Sequence, residues 1–151
     1  TLKSFTGFTN LASVSSTLKS LDISSNYFPD GFSSLLPLPS TLTALTMNEI
    51  YGPSVLPNTA GTIFPFSTWN VNFLTSCPNI KEIQMIRCKL TSATVDNILC
   101  NMAPTTINGG KLYLNNGTAT ADNSLNSAPT ATGLACKTTL ETKSWDVRVA
   151  T

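Results

Sequence analysis

Residues 80–90 decide the fold of this chain, and they read IKEIQMIRCKL. Apolar residues recur there as I-x-x-I-x-M, and Cys88 lies two residues before the closing Leu90. The same spacing returns in LKSLDISSNYF at 18–28, LTALTMNEI at 42–50, the shorter LYLNNG at 112–117 and a weaker LKSF at 2–5. Such self-similarity predicts a fold built from stacked repeats.

Each copy predicts one short strand. Alternate side chains of a strand point to opposite faces, so the two apolar residues of an L-x-L triplet point inward together. One copy cannot bury that apolar face alone, and the strands must therefore stack side by side as a parallel sheet. We expect an α/β solenoid with a short-stranded concave sheet and a helical or irregular convex side. The alternative is an unrelated α/β domain with chance L-x-L spacings.

The full pattern, L-x-x-L-x-L-x-x-N/C-x-L, resembles that of leucine-rich repeat proteins, most closely over 77–90, where CPNI precedes the strand. In that family an inward Asn or Cys satisfies backbone groups of the turn, which implies this role for Asn26 and Cys88. Ile50 stands at the same position in the copy at 42–50.

The C-terminal third extends the resemblance. It contains NGGKLYLNNG at 108–117, APTATGLACKTTL at 128–140 and WDVRV at 145–149. This order is similar to the closing unit of leucine-rich repeat proteins from bacterial surfaces and bacteriophage virions, in which a helix with small residues precedes a G-W-x-V strand. Ser144 stands here where that unit has glycine. The resemblance implies one domain over 1–151, with repeats at about 1–121 and a helix-strand cap at about 122–151.

The spacing between copies is uneven. Equivalent strand positions are Phe5, Leu21, Leu45, Ile83 and Leu112, so the steps are 16, 24, 38 and 29 residues. The longest step contains a Pro- and Gly-rich insertion over 51–66, and insertions of this kind often map to the binding face. Four aromatic residues in this uncharged region form either a core under a helix or an exposed docking patch: Phe64, Phe66, Trp69 and Phe73.

Helical segments are predicted from capping and periodicity. Thr91 is a good N-cap for a helix whose apolar positions are Val95, Ile98, Leu99 and Met102. Ser67 caps a shorter helix that passes through Leu74 and ends before Pro78. In the cap, the helix is expected to bury Leu134 and Leu140. The last strand is expected to turn Trp145, Val147 and Val149 inward, with Asp146 and Arg148 outward.

The N-terminal end carries no matching cap, since Leu2 already occupies a repeat position. An open apolar end is not tolerated in a solenoid. We therefore expect upstream sequence or a partner chain, such as a symmetric virion neighbour, to cover it.

Composition excludes several function classes. Nine Lys and Arg against eight Asp and Glu give a net charge of +1, so the chain lacks the excess of basic residues that binds nucleic acid or an anionic membrane. The longest uncharged stretch, 50–80, is interrupted by four prolines, so membrane insertion is not expected. The absence of histidine removes imidazole catalysis and histidine metal ligands. We predict no catalytic residue, no metal site and no cofactor.

Aligned strands give three outward rows of side chains. The first is Ser20, Ala44, Glu82 and Lys111; the second is Asp22, Thr46, Gln84 and Tyr113; the third is Ser24, Asn48, Ile86 and Asn115. Ten of these are the candidate ligand-binding residues: Asp22, Ser24, Thr46, Asn48, Glu82, Gln84, Ile86, Lys111, Tyr113 and Asn115. A small, polar face with one aromatic ring suits a polysaccharide or a polar protein patch, while the alternative is a solvated face without a ligand. Asp22 and Glu82 lie two strands apart without a nucleophile motif and are not predicted to be catalytic.

The four cysteines are Cys77, Cys88, Cys100 and Cys136. Either all are buried free thiols, which their small-residue positions favour, or one or two disulfides form. A zinc site is not expected without a C-x-x-C pair or histidine.

The Asn116-Gly-Thr118 sequon is interpreted as a turn rather than a glycosylation site.

Serine, threonine and asparagine together make up 54 of the 151 residues, so the surface is neutral and polar. With the resemblance, this predicts a non-enzymatic recognition or structural module on a virion or cell surface. It would be a phage fibre or decoration element or part of a bacterial adhesin, and it would bind a glycan or a protein through the concave face. The alternative is a cytoplasmic leucine-rich repeat module for protein interactions.

Overall fold

The computed structural model of the protein describes residues 17–26, 38–50, 73–118 and 125–151. Five strands and three helices lie in these ranges: β1 (Ser20–Asp22), β2 (Ala44–Thr46), α1 (Phe73–Ser76), β3 (Glu82–Gln84), α2 (Ser92–Met102), β4 (Lys111–Leu114), α3 (Ala131–Glu141) and β5 (Asp146–Val149). The strands form one all-parallel sheet in the order β1-β2-β3-β4-β5. The predicted α/β class with a parallel sheet of short strands is confirmed.

Part of the predicted organisation lies outside the described residues. This applies to the copy at 2–5, the insertion at 51–66, the helix start at Ser67, three of the aromatic residues and the side chain of Phe73.

Each strand pairs with the strand that follows it in sequence, without stagger. One row of paired positions is Leu21, Leu45, Ile83, Leu112 and Val147. The first four are the equivalent strand positions predicted from the sequence, and Val147 adds the final strand to the row. In the central strands these side chains are fully buried, because alternation points each of them to the covered face of the sheet.

The core continues through the second apolar residue of each strand pattern. Ile23, Met47, Met85 and Leu114 are all buried and belong to one cluster with the apolar residues of the helices. Burying a side chain of this size stabilises a fold by about 1.5–3 kcal/mol. Because each strand contributes only a few such residues, pairing of neighbouring strands and packing of the helices together supply the core.

The turns after β1, β2 and β3 repeat one backbone conformation. Ser25, Glu49 and Arg87 occupy the same position in three successive copies, and each has a φ between 53° and 57°. The backbone N–H of each donates to a carbonyl in the next turn, at 2.9 Å, 2.9 Å and 3.3 Å. Parallel hydrogen bonding therefore extends past the strands, and a 2.7 Å ion pair joins Arg87 to Glu49.

A side-chain donor follows two of these turns at the inward Asn/Cys position, half-buried at Asn26 and buried at Cys88. The Asn26 amide donates to the carbonyl of Ile23 at 2.9 Å and to that of Ser24 at 3.1 Å. The Cys88 thiol donates to the Met47 carbonyl of the preceding copy at 2.8 Å. The inward polar role implied for these two residues is therefore confirmed.

In the last copy this role belongs to Asn126, a residue that the pattern did not identify. The pattern places Gly117 there, whereas Asn126 arrives nine positions later and is 4% exposed. Its amide donates to the carbonyls of Met85 and Leu114 at 2.7 Å and 2.9 Å. Its Oδ1 accepts from the N–H groups of Cys88 and Leu90 at 2.9 Å and 3.0 Å.

Helix α2 forms as predicted. Thr91 is its N-cap and accepts a hydrogen bond from the backbone N–H of Thr94 at 3.2 Å. The predicted apolar positions are all buried: Val95, Ile98, Leu99 and Met102. Helix α1 contacts α2 and ends before Pro78, as expected.

Helix α3 packs closely against α2 at Gly133. A Cβ added there would lie 2.0 Å from Oδ1 of Asp96 and 2.9 Å from Cβ of Pro129, so glycine is required. Asp96 also accepts hydrogen bonds from the backbone N–H and hydroxyl of Thr130, the N-cap of α3. A carboxylate at this end of the helix is favourable for the helix dipole.

The expectation that α3 buries both Leu134 and Leu140 is wrong for Leu134. Leu140 is fully buried, but Leu134 is 47% exposed. The covered face is set by Gly133, Cys136 and Leu140, which lie on one side at helical spacing. Leu134 lies about 100° around the helix from Gly133 and therefore faces away.

The cysteines divide into one disulfide and two thiols. Cys100 in α2 and Cys136 in α3 form a disulfide with a Cα–Cα distance of 5.0 Å, so the favoured expectation of four free thiols is wrong for this pair. Proximity of the two helices decides this, because the residues are 36 positions apart in sequence. Cys77 and Cys88 are free and buried, and burial raises the pKa of the two thiols to about 11 and about 12.

The final strand follows a tight turn at Ser144. Its φ of 62° lies in the left-handed region, which explains why the resembling unit has glycine here. The N–H of Ser144 donates to the Glu141 carbonyl at 2.9 Å and that of Trp145 to the Leu140 carbonyl at 3.3 Å, the two bonds of a Schellman motif. Trp145 and Val147 are buried as expected, and Val149 is half-buried.

The turn between α3 and β5 is joined to the chain that follows α2. The Lys143 ammonium donates to the carbonyls of Ala103 and Thr105 at 2.7 Å and 2.6 Å. The indole N–H of Trp145 donates to the carbonyl of Ile107 at 2.9 Å. A cation at the C-terminal end of a helix is favourable for its dipole, so Lys143 stabilises α2 and fixes the turn between α3 and β5 to it.

We predict that Asn126→Ala lowers the free energy of unfolding by at least about 3 kcal/mol, because each buried backbone group left unpaired costs about 1–3 kcal/mol. Urea denaturation followed by circular dichroism measures the change. Asn97→Ala, at an exposed position of α2, is the control and should stay within about 0.5 kcal/mol of wild type. Equal effects of the two substitutions would contradict the role given to Asn126.

Reduction of the disulfide should lower the free energy of unfolding by about 3–4 kcal/mol, since the bond closes a loop of 36 residues. Thiol titration of the denatured protein should find two thiols without reductant and four with it, in keeping with the two free cysteines. Four reactive thiols without reductant would show that Cys100 and Cys136 are not joined.

Candidate functional site

The candidate site is the outer face of the sheet, defined by the side chains opposite the core. The structure pairs the first two predicted rows as expected and extends them onto β5. Asp146 aligns with Lys111 in the first row, and Arg148 aligns with Tyr113 in the second. Both were predicted to point outward, and both are exposed.

Side chains of the third row mostly form hydrogen bonds within the turns. The Ser24 hydroxyl accepts from the Asn48 N–H at 3.1 Å, and the Asn48 side-chain oxygen accepts from the Ile86 N–H at 2.8 Å. These side chains therefore bridge successive turns. Oδ1 of Asn115 is buried and has no hydrogen-bond partner within the described part of the chain.

The first two strands supply a half of the outer face that has few charged groups. Ser20 and Asp22 are exposed in β1, and Ala44 and Thr46 are half-buried in β2. The only charged side chain among these four is Asp22, which accepts a hydrogen bond from the Ser24 N–H at 2.9 Å.

Tyr113, Asp146 and Arg148 form a cluster on β4 and β5. The Tyr113 hydroxyl donates to Oδ2 of Asp146 at 2.6 Å, and Arg148 donates to the same carboxylate at 2.8 Å and 3.2 Å. The guanidinium carbon of Arg148 lies 4.5 Å from the centroid of the Tyr113 ring, a cation–π arrangement. Arg148 therefore occupies one face of the Tyr113 ring, which is the only aromatic ring among the predicted ligand-binding residues.

Hydrogen bonding and charge shift the proton affinities in this cluster. The hydrogen bond to Asp146 raises the pKa of the Tyr113 phenol. Hydrogen bonds from Arg148 and then Tyr113 lower the pKa of the Asp146 carboxyl, and the carboxylate raises the pKa of Arg148. Asp146 is thus held ionised as a hydrogen-bond acceptor at neutral pH.

A second group lies on β3 and β4. The Gln84 amide donates to Oε1 of Glu82 at 2.6 Å, and the Lys111 ammonium lies 3.8 Å from Oε2 of Glu82. Lys111 and Glu82 belong to the first row, as does Asp146, so opposite charges alternate along it. Charges on this half of the outer face largely neutralise one another.

An open groove crosses the beginnings of strands β2 to β5. It has a volume of about 470 Å³. Its charged lining residues are Lys81, Glu82, Lys111 and Asp146. Gly109 and Gly110, which precede β4, also line it and add no side-chain bulk.

Sequence reasoning missed Lys81, Gly109, Gly110 and Ser144 as lining residues, and it did not include Asp146 and Arg148 among the ligand-binding candidates. Two of these could have been found. Aligning WDVRV with the L-x-L triplets would have placed Asp146 and Arg148 in the predicted rows.

Among the described residues, Asp22 and Glu82 are not brought together on this face. Asp22 and Glu82 lie in different rows and on strands separated by β2, and each carboxylate accepts a hydrogen bond from a neighbour. Within 17–26, 38–50, 73–118 and 125–151, no group of three or more Cys, Asp or Glu could hold a metal ion. No helix in those same ranges is long and apolar enough to cross a membrane.

No protein-family description, curated protein or solved structure matches this chain.

We predict that Asp146→Asn lowers the pKa of Tyr113, because the variant loses the carboxylate that holds the phenol proton while Arg148 remains beside the ring. The tyrosinate absorbance measured against pH gives the change, with Tyr113→Phe identifying the contribution of this residue. The phenol–carboxylate bond should persist below the usual tyrosine pKa of about 10 and be lost as the pH rises through the raised value. Asp22→Asn, on β1, should leave the titration unchanged; a similar change in both variants would contradict the cluster.

Proposed function

We propose that the protein is a leucine-rich repeat solenoid that serves as a non-enzymatic recognition module. Its concave face would be the outer face of the sheet, and residues 131–149 would form the C-terminal cap. The repeated strand pattern, the unstaggered pairing and the side-chain donors Asn26 and Cys88 all support this architecture. Stacked repeats commonly offer such an extended sheet face to partners.

One observation carries the recognition role: the outward rows of five adjacent strands form a continuous polar surface. Its first two rows contain hydroxyl, amide, carboxylate and ammonium groups and a single aromatic ring. Groups of these kinds hydrogen-bond with a glycan or with polar protein side chains. The self-neutralised charges favour a ligand of low net charge.

We further propose that the module acts outside the cell, as a phage fibre or decoration element or as part of a bacterial adhesin. The Cys100–Cys136 disulfide is compatible with an oxidising, extracellular environment. It also weakens the case for the cytoplasmic alternative, in which all four cysteines would be reduced. The resemblance of the C-terminal third to surface and virion proteins also favours a role outside the cell.

Replacing Asp22, Gln84 and Tyr113 together by alanine should weaken binding to a glycan or protein ligand at least about tenfold, or about 1.4 kcal/mol. The second row then loses groups on three of its strands. A glycan array first identifies the ligand, together with a screen of proteins from the host cell surface or virion. Titration calorimetry then measures the loss.

A matched triple variant controls for general effects. Thr132, Thr138 and Thr139 are exposed on α3, and their replacement by alanine should leave the affinity within about twofold of wild type. Unchanged binding by the sheet variant, with a folded circular dichroism spectrum, would exclude the outer face as the recognition surface.

A further inference from the structure

The groove at the beginnings of β2 to β5 has the size of a ligand site. Its volume of about 470 Å³ lies within the range of about 300–1,000 Å³ that is typical of small-molecule pockets. It runs across several strands, so a chain-like ligand would contact successive copies of the strand pattern. Ala44, Glu82 and Lys111 belong to the predicted first row, Asp146 extends that row onto β5, and the remaining lining lies outside it.

The groove is lined by hydrogen-bonding groups of both kinds. Glu82 and Asp146 supply acceptors, and Lys81 and Lys111 supply donors. Ala44 is the only lining residue with an aliphatic side chain; the others are charged residues, hydroxyl residues and glycines. The aliphatic stems that carry these polar groups add apolar surface to the lining.

Charge in the groove is balanced. Two ammonium groups and two carboxylates line it, so it has little net attraction for either an anion or a cation. Asp146 is also held by Arg148, and Glu82 by Gln84. A carboxylate offers about four acceptor positions, so both retain capacity for a ligand.

The floor of the groove is open at Gly109. An added Cβ there would have no atom within 4 Å, and the φ of 70° favours glycine or asparagine. At Gly110, by contrast, a Cβ would lie 2.7 Å from the indole of Trp145. The cap residue Trp145 therefore packs beneath the floor and fixes its position.

We propose that this groove binds a neutral, hydroxyl-rich ligand, namely a segment of an uncharged glycan chain. Glu82 and Asp146 accept hydrogen bonds from its hydroxyl groups, while Lys81 and Lys111 donate to its oxygens. A hydroxyl group both donates and accepts, so it fits a surface where both kinds of partner alternate. This inference rests on the proposed recognition role and gives that role a ligand class and a location.

Binding to immobilised neutral polysaccharides tests the ligand class, with glucans, mannans and chitin fragments as neutral probes. Polygalacturonate and sialylated glycans are the anionic probes. Wild-type protein should bind at least one neutral probe, and raising the salt from low to physiological concentration should change the affinity less than about twofold, because no net charge is screened. Binding confined to anionic probes would overturn the proposal.

Gly109→Asn tests the location, because asparagine tolerates a left-handed φ and its side chain would enter the groove. We expect the affinity for the bound neutral probe to fall more than about tenfold. Gly117→Asn is the matched control: its φ is 60°, and an added Cβ would make only an ordinary 3.6 Å contact with Ile86 in the turn beyond β4. Equal binding by the two variants would exclude the groove.

A second pair of variants tests the location of the ligand site without changing a glycine. Lys81→Met removes a donor from the lining, whereas Lys19→Met changes the lysine that precedes β1, outside the groove. The first should weaken binding severalfold and the second should not.

The proposed recognition role has a separate outcome. If the protein binds no polysaccharide but a protein ligand depends on Asp22, Gln84 and Tyr113, the glycan inference fails while recognition by the outer face stands. If the Asp22, Gln84 and Tyr113 variant also leaves every detected interaction unchanged, the proposed function of the outer face fails as well.

Discussion

Buried backbone carbonyls at the ends of the strands require hydrogen-bond donors, and the rest of the structure depends on meeting that requirement. The carbonyls of Ile23, Met47 and Met85 follow equivalent strands and are reached by Asn26, Cys88 and Asn126 respectively. An unpaired buried carbonyl is costly, so each donor fixes the path of the turn that contains it. With the turns fixed, successive strands pair without stagger.

That lack of stagger links the core to the outer face. When aligned positions pair directly, each inward apolar residue lies beside the corresponding apolar residue of the next strand. Each outward polar residue likewise lies beside the corresponding polar residue. The alternation of charge along Glu82, Lys111 and Asp146 is a consequence of this alignment. A shift of one residue in any strand would exchange the two faces, which the apolar core does not permit.

The segment from α3 to β5 is held against the rest of the fold by several unrelated interactions. Lys143 bonds to carbonyls beyond α2, Trp145 packs below Gly110, and the Cys100–Cys136 disulfide holds α3 against α2. Removal of this segment would expose the edge of β4. The same packing places Asp146 at the groove, so stability and the candidate ligand site share residues.

Local sequence was sufficient to predict much of the fold. The L-x-L spacing predicted the strands and their rows, and Thr91 with the apolar positions behind it predicted α2, because these features depend on neighbours a few residues away. The buried face of α3 was predicted incorrectly at Leu134. A helix with few apolar residues has no strong periodicity, and its orientation is then set by what it packs against.

The sequence by itself determined the parallel strands and a polar outer face, since both follow from a short repeated pattern, while the donor role of Asn26 and Cys88 was implied by the resemblance to leucine-rich repeats. Only the tertiary structure decided that Asn126 completes the last copy, that Cys100 joins Cys136 and that Lys81 and Asp146 line one groove. These features depend on residues distant in sequence. No local pattern encodes such proximity, which arises when strands and helices pack around a common core.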